Sequence, residues 1–514
     1  MKYFAMFIPL AMATLAQYGE TSPSPDFAVP ARMAGVASGS LPGSSGNVVQ
    51  NTNRVLAVLG QFQSITESLY GLQTPVLYRL ATGFRVVMDS LVESGSPIFQ
   101  ALSNAARLSS GNITAVFDGI RRTINATVAL NELHDAALNG TQALLGSGGV
   151  QNISTVLDQL VRNVANLSTV LDEIEPAIVR IQRLGRPTQT QVDSMYPRAG
   201  VRKLNGILLD YVNIGASTVP QINAVVNRIR LMDGFIGRLT AVAGAQRTAL
   251  NSTTAAVNAS VQSGVQLRLQ NTLRAMRTNF NGTVLVVTRK LKLFFLDDVT
   301  AIRQVARNAS ATLTERLTNV TGSLDAVSNR TRVTVDGRAS EWVMNRTNGV
   351  VMGLAWRTAL AVTSGVPRAD TCFARFNYEF DKIPRLIQGA LAACGQEETR
   401  TLQSVANALA GYLGVVQAQL NAETKRYDQC VGGLVPDSSD ALKRQRALCL
   451  RGAEQFSHQL GSYVVNDQLQ AFEELLRHEV QYSAERHREC VRVSDRIMVA
   501  EVRNLERSIA NCLN

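Results

Sequence analysis

Two residue types in this chain could do chemistry by virtue of their spacing: the cysteines, and the asparagines of Asn-x-Ser/Thr triplets. The six cysteines are Cys372, Cys394, Cys430, Cys449, Cys490 and Cys512. No two lie close enough for a zinc knuckle and no Cys-x-x-Cys occurs, so the expectation is no metal site, no dithiol redox motif and no cofactor. An even number of well-separated cysteines reads as three disulfides, the chemistry of an oxidising compartment. Many pairings are formally open, but the positions are nearly mirror-symmetric about residue 441, with 22 residues between the members of each outer pair of neighbours. Two antiparallel helical arms folding at that centre would bring Cys372 level with Cys512, Cys394 with Cys490, and Cys430 with Cys449. The turn itself is legible as Gly432-Gly433 followed by Pro436-Asp-Ser-Ser-Asp440, a loop running into a helix N-cap. Gly395 beside Cys394 reads as a break in the first arm, which would make four helices and could change the partners.

The triplets begin at Asn112, Asn125, Asn139, Asn152, Asn166, Asn251, Asn258, Asn281, Asn308, Asn319, Asn329 and Asn345, all upstream of the first cysteine. Each is an N-glycosylation acceptor in a secreted chain and needs a surface position if it is used. Ordinary Ser/Thr usage would supply only about a third of these twelve by chance. The first five are 13, 14, 13 and 14 residues apart, a loose repeat.

The sequence carries no catalytic constellation beside them. The four histidines are His134, His458, His478 and His487. His478 and His487 share a helical stretch with Glu479, Glu485 and Glu489, but nine residues apart is not the i, i+4 spacing of a helical zinc site. That stretch reads as a solvated charged helix. There is no Gly-x-Ser-x-Gly elbow and no phosphate-cradling glycine loop. The basic run Lys443-Arg444-Gln445-Arg446 reads as a helix face rather than a processing site, and Trp342 and Trp356 read as core contacts. The expectation is a protein that is not an enzyme.

The elements that would position these residues follow from composition and periodicity. Residues 1–16 read as a cleaved signal peptide: Lys2, an apolar run from Tyr3 to Ala13, then Thr14-Leu15-Ala16. Residues 17–46, rich in Ser, Gly and Pro, read as a disordered leader. From there apolar residues recur three and four apart, so residues 47–366 read as a helical, basic, glycan-bearing region and 367–514 as the six-cysteine helical domain. Breaks are expected at Gly146 to Gly149, Gly185 to Pro187, Pro197 and Pro367. The fold class is therefore all-α: an elongated helical body followed by a disulfide-stapled antiparallel helical C-terminal domain. One seam is unbroken: Ile153, Leu157, Leu160, Val164, Leu167, Leu171, Ile174, Ile178 and Ile181 alternate four and three apart. It reads as an intramolecular bundle helix ahead of a self-associating coiled coil, with Asn152 and Asn166 pointing away from the seam and Pro176 kinking it. No stretch has the uninterrupted apolar length of a transmembrane helix; Gly349 to Val366 comes nearest and is broken by Arg357.

The stretch Asp370 to Asn514, with its six cysteines and the framing segments Cys372-Phe-Ala-Arg-Phe376 and Ile509-Ala-Asn-Cys512, resembles the tsetse EP domain. That resemblance implies an extracellular insect protein, related to a family whose name-giving member is linked to midgut immune response, and implies no catalytic residues. Glu175-Pro176 is the one Glu-Pro dipeptide here, so the repeat of the name-giving protein is missing.

Charge completes the reading. The net charge is +11, and it lies in the middle of the chain: Pro176 to Arg307 holds 18 Lys+Arg against 5 Asp+Glu, whereas Val366 to Asn514 holds 18 against 19. The partner expected is extracellular and unidentified, an acidic glycan or a microbial surface being the candidates; nucleic acid is not expected, and the oligomeric state is left open. A secreted, non-enzymatic binding glycoprotein is the leading expectation, with an amphipathic-helix lipid binder or a structural component of an extracellular matrix as the alternatives.

Overall fold

The computed structural model describes residues 27–29, 45–108, 110–185, 187–292, 297–334, 337–460 and 467–514. Among these the chain is all-α, with no strand and thirteen α-helices. They are α1 (Ser45–Glu67), α2 (Pro75–Ala106), α3 (Ile113–Ala129), α4 (Asn131–Asn139), α5 (Gln142–Arg183), α6 (Gln189–Met195), α7 (Arg198–Val261), α8 (Arg268–Leu291), α9 (Asp297–Thr334), α10 (Arg338–Thr363), α11 (Ala369–Val431), α12 (Asp440–Leu460) and α13 (Leu469–Leu513). A π-helical segment, Gln262–Leu267, links α7 to α8. The signal peptide expected at residues 1–16 lies outside the described residues.

Packing divides the chain into two compact units. Unit 1 is Met1–Gly237 with Arg357–Asp370; unit 2 is Arg238–Trp356 with Thr371–Asn514. A cut between 366 and 367 therefore does not separate the packed bodies. All six cysteines fall in unit 2, but so do seven of the acceptors, Asn251 to Asn345.

In unit 1, α1 and α2 pack along each other and α3 lies between α2 and α5. The seam of α5 is buried within this unit from Leu157 to Ile181. Its heptad spacing thus serves internal packing, as a bundle helix does. Pro176 stays within helical dihedrals; the one departure in α5 is Gly146, at φ 70° and ψ 162°. That backbone region suits glycine, which has no Cβ to clash with the chain. Pro97, Pro220 and Pro384 likewise lie inside α2, α7 and α11. A proline costs its helix one hydrogen bond and a clash of about 3 kcal/mol, and long helices fixed by tertiary packing absorb it. The other expected breaks are present: α5 stops at Arg183 before Gly185, α7 starts just after Pro197, and Pro367 separates α10 from α11.

Part of the expected leader is ordered. Phe27, Ala28 and Val29 are buried in unit 1. Phe27 meets Phe117 edge-on with ring centroids 6.0 Å apart. The Ala28 amide donates to the Leu108 carbonyl at 2.8 Å. The remaining expected leader up to Ser44 is outside the described residues.

Unit 2 is built on repeated four-three-four stripes. Leu269, Leu273, Met276 and Phe280 of α8, Leu313, Leu317, Val320 and Leu324 of α9, Leu409, Leu413, Val416 and Leu420 of α11, and Leu469, Phe472 and Leu476 of α13 form one buried cluster. That spacing keeps one face of each helix turned inward, the rule for bundle cores. A second cluster joins Val287 and Leu291 of α8, Tyr427, Cys430 and Val431 of α11, and Leu450 and Ala453 of α12.

Candidate functional site: the disulfide ladder and the acceptor asparagines

The three disulfides are Cys372–Cys512, Cys394–Cys490 and Cys430–Cys449, with Cα atoms 5.8, 5.8 and 5.6 Å apart, and no cysteine is free. The outer two tie α11 to α13. Their members are 22 residues apart on each helix, so both rungs advance by roughly 33 Å at 1.5 Å per residue and stay level on antiparallel helices. The third joins the end of α11 to α12 across the expected turn. In that turn Gly433 takes φ 74°, the Ser438 hydroxyl accepts from the Val435 amide at 3.0 Å, and the Ser439 hydroxyl accepts from the Leu442 amide at 3.4 Å to cap α12.

The break expected at Gly395 is corrected. α11 runs without interruption from Ala369 to Val431, and the described residues of the second arm form α12 and α13. Gly395 serves close packing instead: a Cβ there would stand 3.1 Å from Cγ2 of Val257 on α7.

Ten acceptor asparagines are exposed: Asn112, Asn125, Asn139, Asn152, Asn166, Asn251, Asn308, Asn319, Asn329 and Asn345. Asn152 and Asn166, 14 residues apart on α5, share its outer face because 14 residues is close to four helical turns. Asn258 and Asn281 are half-buried. The Oδ1 of Asn258 is enclosed without a hydrogen-bond partner, and Asn281 spends its amide inside the unit, Nδ2 donating to the Thr314 hydroxyl at 3.3 Å and Oδ1 accepting from the Ser310 hydroxyl at 2.7 Å. Asn139 borders a polar cleft of about 430 Å³ between α4 and α5, whose walls include Asp135, Gln142, Gln151 and Ser154.

Two expectations about single residues are overturned. Trp342 is no core contact; it is 59% exposed on α10, three residues before Asn345. Arg346 lies 5.3 Å from its ring centroid and is held by both oxygens of Asp495 at 2.8 Å. Arg247 on α7 donates from Nη2 to Asn345 Oδ1. The second overturned residue is His487, which is buried to 5% exposure rather than solvated. It lies one turn from Cys490, where burial holds its imidazole below the usual range against the opposing influence of Glu398 and the Cys394 backbone. Glu398 is itself buried and receives Arg486 through two bonds, at 2.9 and 3.2 Å. His478 is exposed on the same helix as the exposed Glu485 and Glu489, with its ring stacked on Tyr482, whereas Glu479 is half-buried. His134 is buried on α4, 3.0 Å from the Ser90 hydroxyl, and burial pushes it down as well. His458 lies in α12. The signal missed for His487 was periodicity: it falls on the inward face with Ser483, Val491 and Ser494.

Among the described residues no group of three or more His, Cys, Asp or Glu side chains could hold a metal ion. No described helix is long and apolar enough to cross a membrane. The apolar pocket beside the π-helical segment, lined by Val261, Val265, Leu324 and Leu402 among others, has room for about 20 Å³, a single water.

Fold and site together define an all-helical protein whose C-terminal helices are stapled in antiparallel pairs. No protein-family model, curated protein or solved structure matches the chain.

Proposed function

We propose that this is a secreted, non-enzymatic glycoprotein that acts by binding a partner outside the cell. The observation that carries the reading is the coexistence in one chain of three closed disulfides with ten acceptor asparagines on the surface. Disulfides of this kind persist in oxidising compartments, and N-glycans are added in the same pathway. The resemblance of Asp370 to Asn514 to the tsetse EP domain supports an insect source and a place in gut or immune defence.

The partner chemistry favoured is polyanionic. The excess of cations from Pro176 to Arg307 is arginine-dominated, and guanidinium groups bind sulfate and carboxylate bidentately. The test is capture of the glycosylated, purified protein on sulfated glycan and on microbial surfaces across a salt series. The reading expects retention that falls steeply as salt rises. Retention on neither surface at low salt would remove the polyanion partner, and retention on anionic vesicles unaffected by salt would favour the lipid-binding alternative instead.

A further inference from the structure

The surroundings of Asn345 differ from those of every other acceptor. Trp342 and Asn345 are three residues apart on α10, so their side chains leave the same face with Cβ atoms about 5–6 Å apart. Trp342 is the more exposed of the two tryptophans, at 59%. Its indole is not loose: Arg346 lies against the ring and is anchored by Asp495. The Asn345 amide is not loose either, because Arg247 donates to Oδ1. An amide held by its oxygen presents its nitrogen on the opposite branch from Cγ.

We propose that the N-glycan on Asn345 is a built-in component of unit 2, its first N-acetylglucosamine lying on the Trp342 indole. This rests on the glycoprotein reading above. The transfer forms a bond from Nδ2 to the anomeric carbon of the sugar. It breaks the bond from that carbon to the diphosphate of a lipid-linked oligosaccharide donor, and one amide proton is released. Oδ1 takes no part, so it keeps its acceptor capacity, and Arg247 orients the linkage once unit 2 has folded. The C–H face of a pyranose is apolar and faintly positive, which suits the negative face of an aromatic ring. Arg247 and Arg346 flank the sugar with donors for its hydroxyls.

The other acceptors lack this combination. Asn281 commits Nδ2 to Thr314, Asn112 uses Oδ1 to cap α3 through the Ala115 amide, and Asn308 receives Gln304 from its own helix. Thr347, the third residue of the Asn345 triplet, is fully buried with its hydroxyl on the Val343 carbonyl at 2.8 Å. The triplet can therefore be read only before α10 closes, so the sugar is in place while unit 2 folds around it.

The test uses the full chain secreted from a glycosylating host in a Trp356→Phe background, which leaves Trp342 as the one indole. Glycopeptide mapping first reports occupancy at each acceptor. The folded protein is then trimmed with an endoglycosidase that leaves the first sugar, or with an amidase that removes it. Trimming to one sugar should leave Trp342 emission in place. Complete removal should shift it to longer wavelength and raise acrylamide quenching at least about twofold. Asn345→Gln should reproduce the shift and Asn251→Gln should not, which separates loss of the sugar from the Asp the amidase creates. Unchanged emission after complete removal, or an empty Asn345 beside other occupied acceptors, would overturn the seat and leave the glycoprotein reading standing. Acceptors empty throughout would overturn both.

Discussion

Units 1 and 2 bury leucine- and phenylalanine-rich helix faces alike, yet they are closed by different means. Unit 1 contains no cysteine. Its helices approach until backbone meets backbone: a Cβ on Gly83 of α2 would stand 2.3 Å from the carbonyl oxygen of Ala137 on α4. Its turns are held by buried polar groups. Asp233 of α7 accepts from the amides of Gln73 and Thr74 at 2.8 and 2.7 Å, satisfying donors that the start of α2 leaves open. Arg121 of α3 gathers Asp118, Asp172 and Glu175. Unit 2 adds covalent rungs between α11, α12 and α13 to its noncovalent core, and most of its described glycines face open space, Gly337 and Gly395 being exceptions. The contrast teaches that noncovalent closure makes small residues at crossings decisive, whereas covalent closure relaxes that demand and shifts the burden to the cysteines.

The largest break in the comparison should come from the cysteines. Replacing Cys372 and Cys512 by Ala frees the two 22-residue arms beyond the Cys394–Cys490 rung, for which chain entropy gives about 4 kcal/mol, against about 3 kcal/mol for the 19-residue separation of Cys430 and Cys449. Hydrogen exchange should show lost protection in peptides of unit 2 and unchanged protection in α1 to α5. Equal loss in both units would mean that the units do not differ in closure. Next in size, Gly83→Ala forces a methyl into a carbonyl oxygen and should cost about 3 kcal/mol by denaturant titration, with the exchange protection of α2 and α4 falling first. Asp233→Ala leaves the Gln73 and Thr74 amides unpaired at a buried turn and should cost about 2 kcal/mol; a change within error would show that water replaces the carboxylate.

The smallest effect is a pH slope. His487 is held below the ordinary imidazole value of 6.5 in the folded chain, chiefly by burial. The unfolded chain then binds more protons as pH falls through 6.5, so the stability contributed by the neutral imidazole is complete above that pH. It declines as pH falls, until the folded imidazole also protonates. Glu398, facing it from α11, opposes the shift without reversing it. His134 gives unit 1 a slope of the same sign. His487→Leu should flatten the acid slope of unit 2 exchange protection between pH 7 and 5 while leaving that of unit 1, the pH range being roughly that in which an ordinary imidazole titrates.

Periodicity and cysteine arithmetic made much of this architecture readable in advance. The α5 seam and the two outer cysteine pairs could be read because helical rise converts equal sequence intervals into equal lengths, and the inner pair because its cysteines flank the turn. What could not be read were features set by a neighbour. Gly395 looks like a break until Val257 is seen against it. Pro176 and Pro384 look like interruptions until packing is seen to hold the helix through them. Trp342 looks like a core residue because its type is apolar; its exposure depends on which face α10 turns outward. The apolar stripes of α8, α9, α11 and α13 were present in the sequence, but each is shorter than the α5 seam. The division of the chain was also hidden. Cysteines and acceptors are separate along the sequence, yet seven acceptors share a packed unit with all three disulfides.

The central claim, a secreted chain closed by level rungs between antiparallel helices, is tested most directly by peptide mapping of the secreted protein, digested without reduction after alkylation. The account predicts no alkylated cysteine and three cross-linked pairs: Cys372 with Cys512, Cys394 with Cys490, and Cys430 with Cys449. A link between neighbours such as Cys372 and Cys394, which the uninterrupted helix α11 holds roughly 33 Å apart, or free thiols at any of the six, would contradict it.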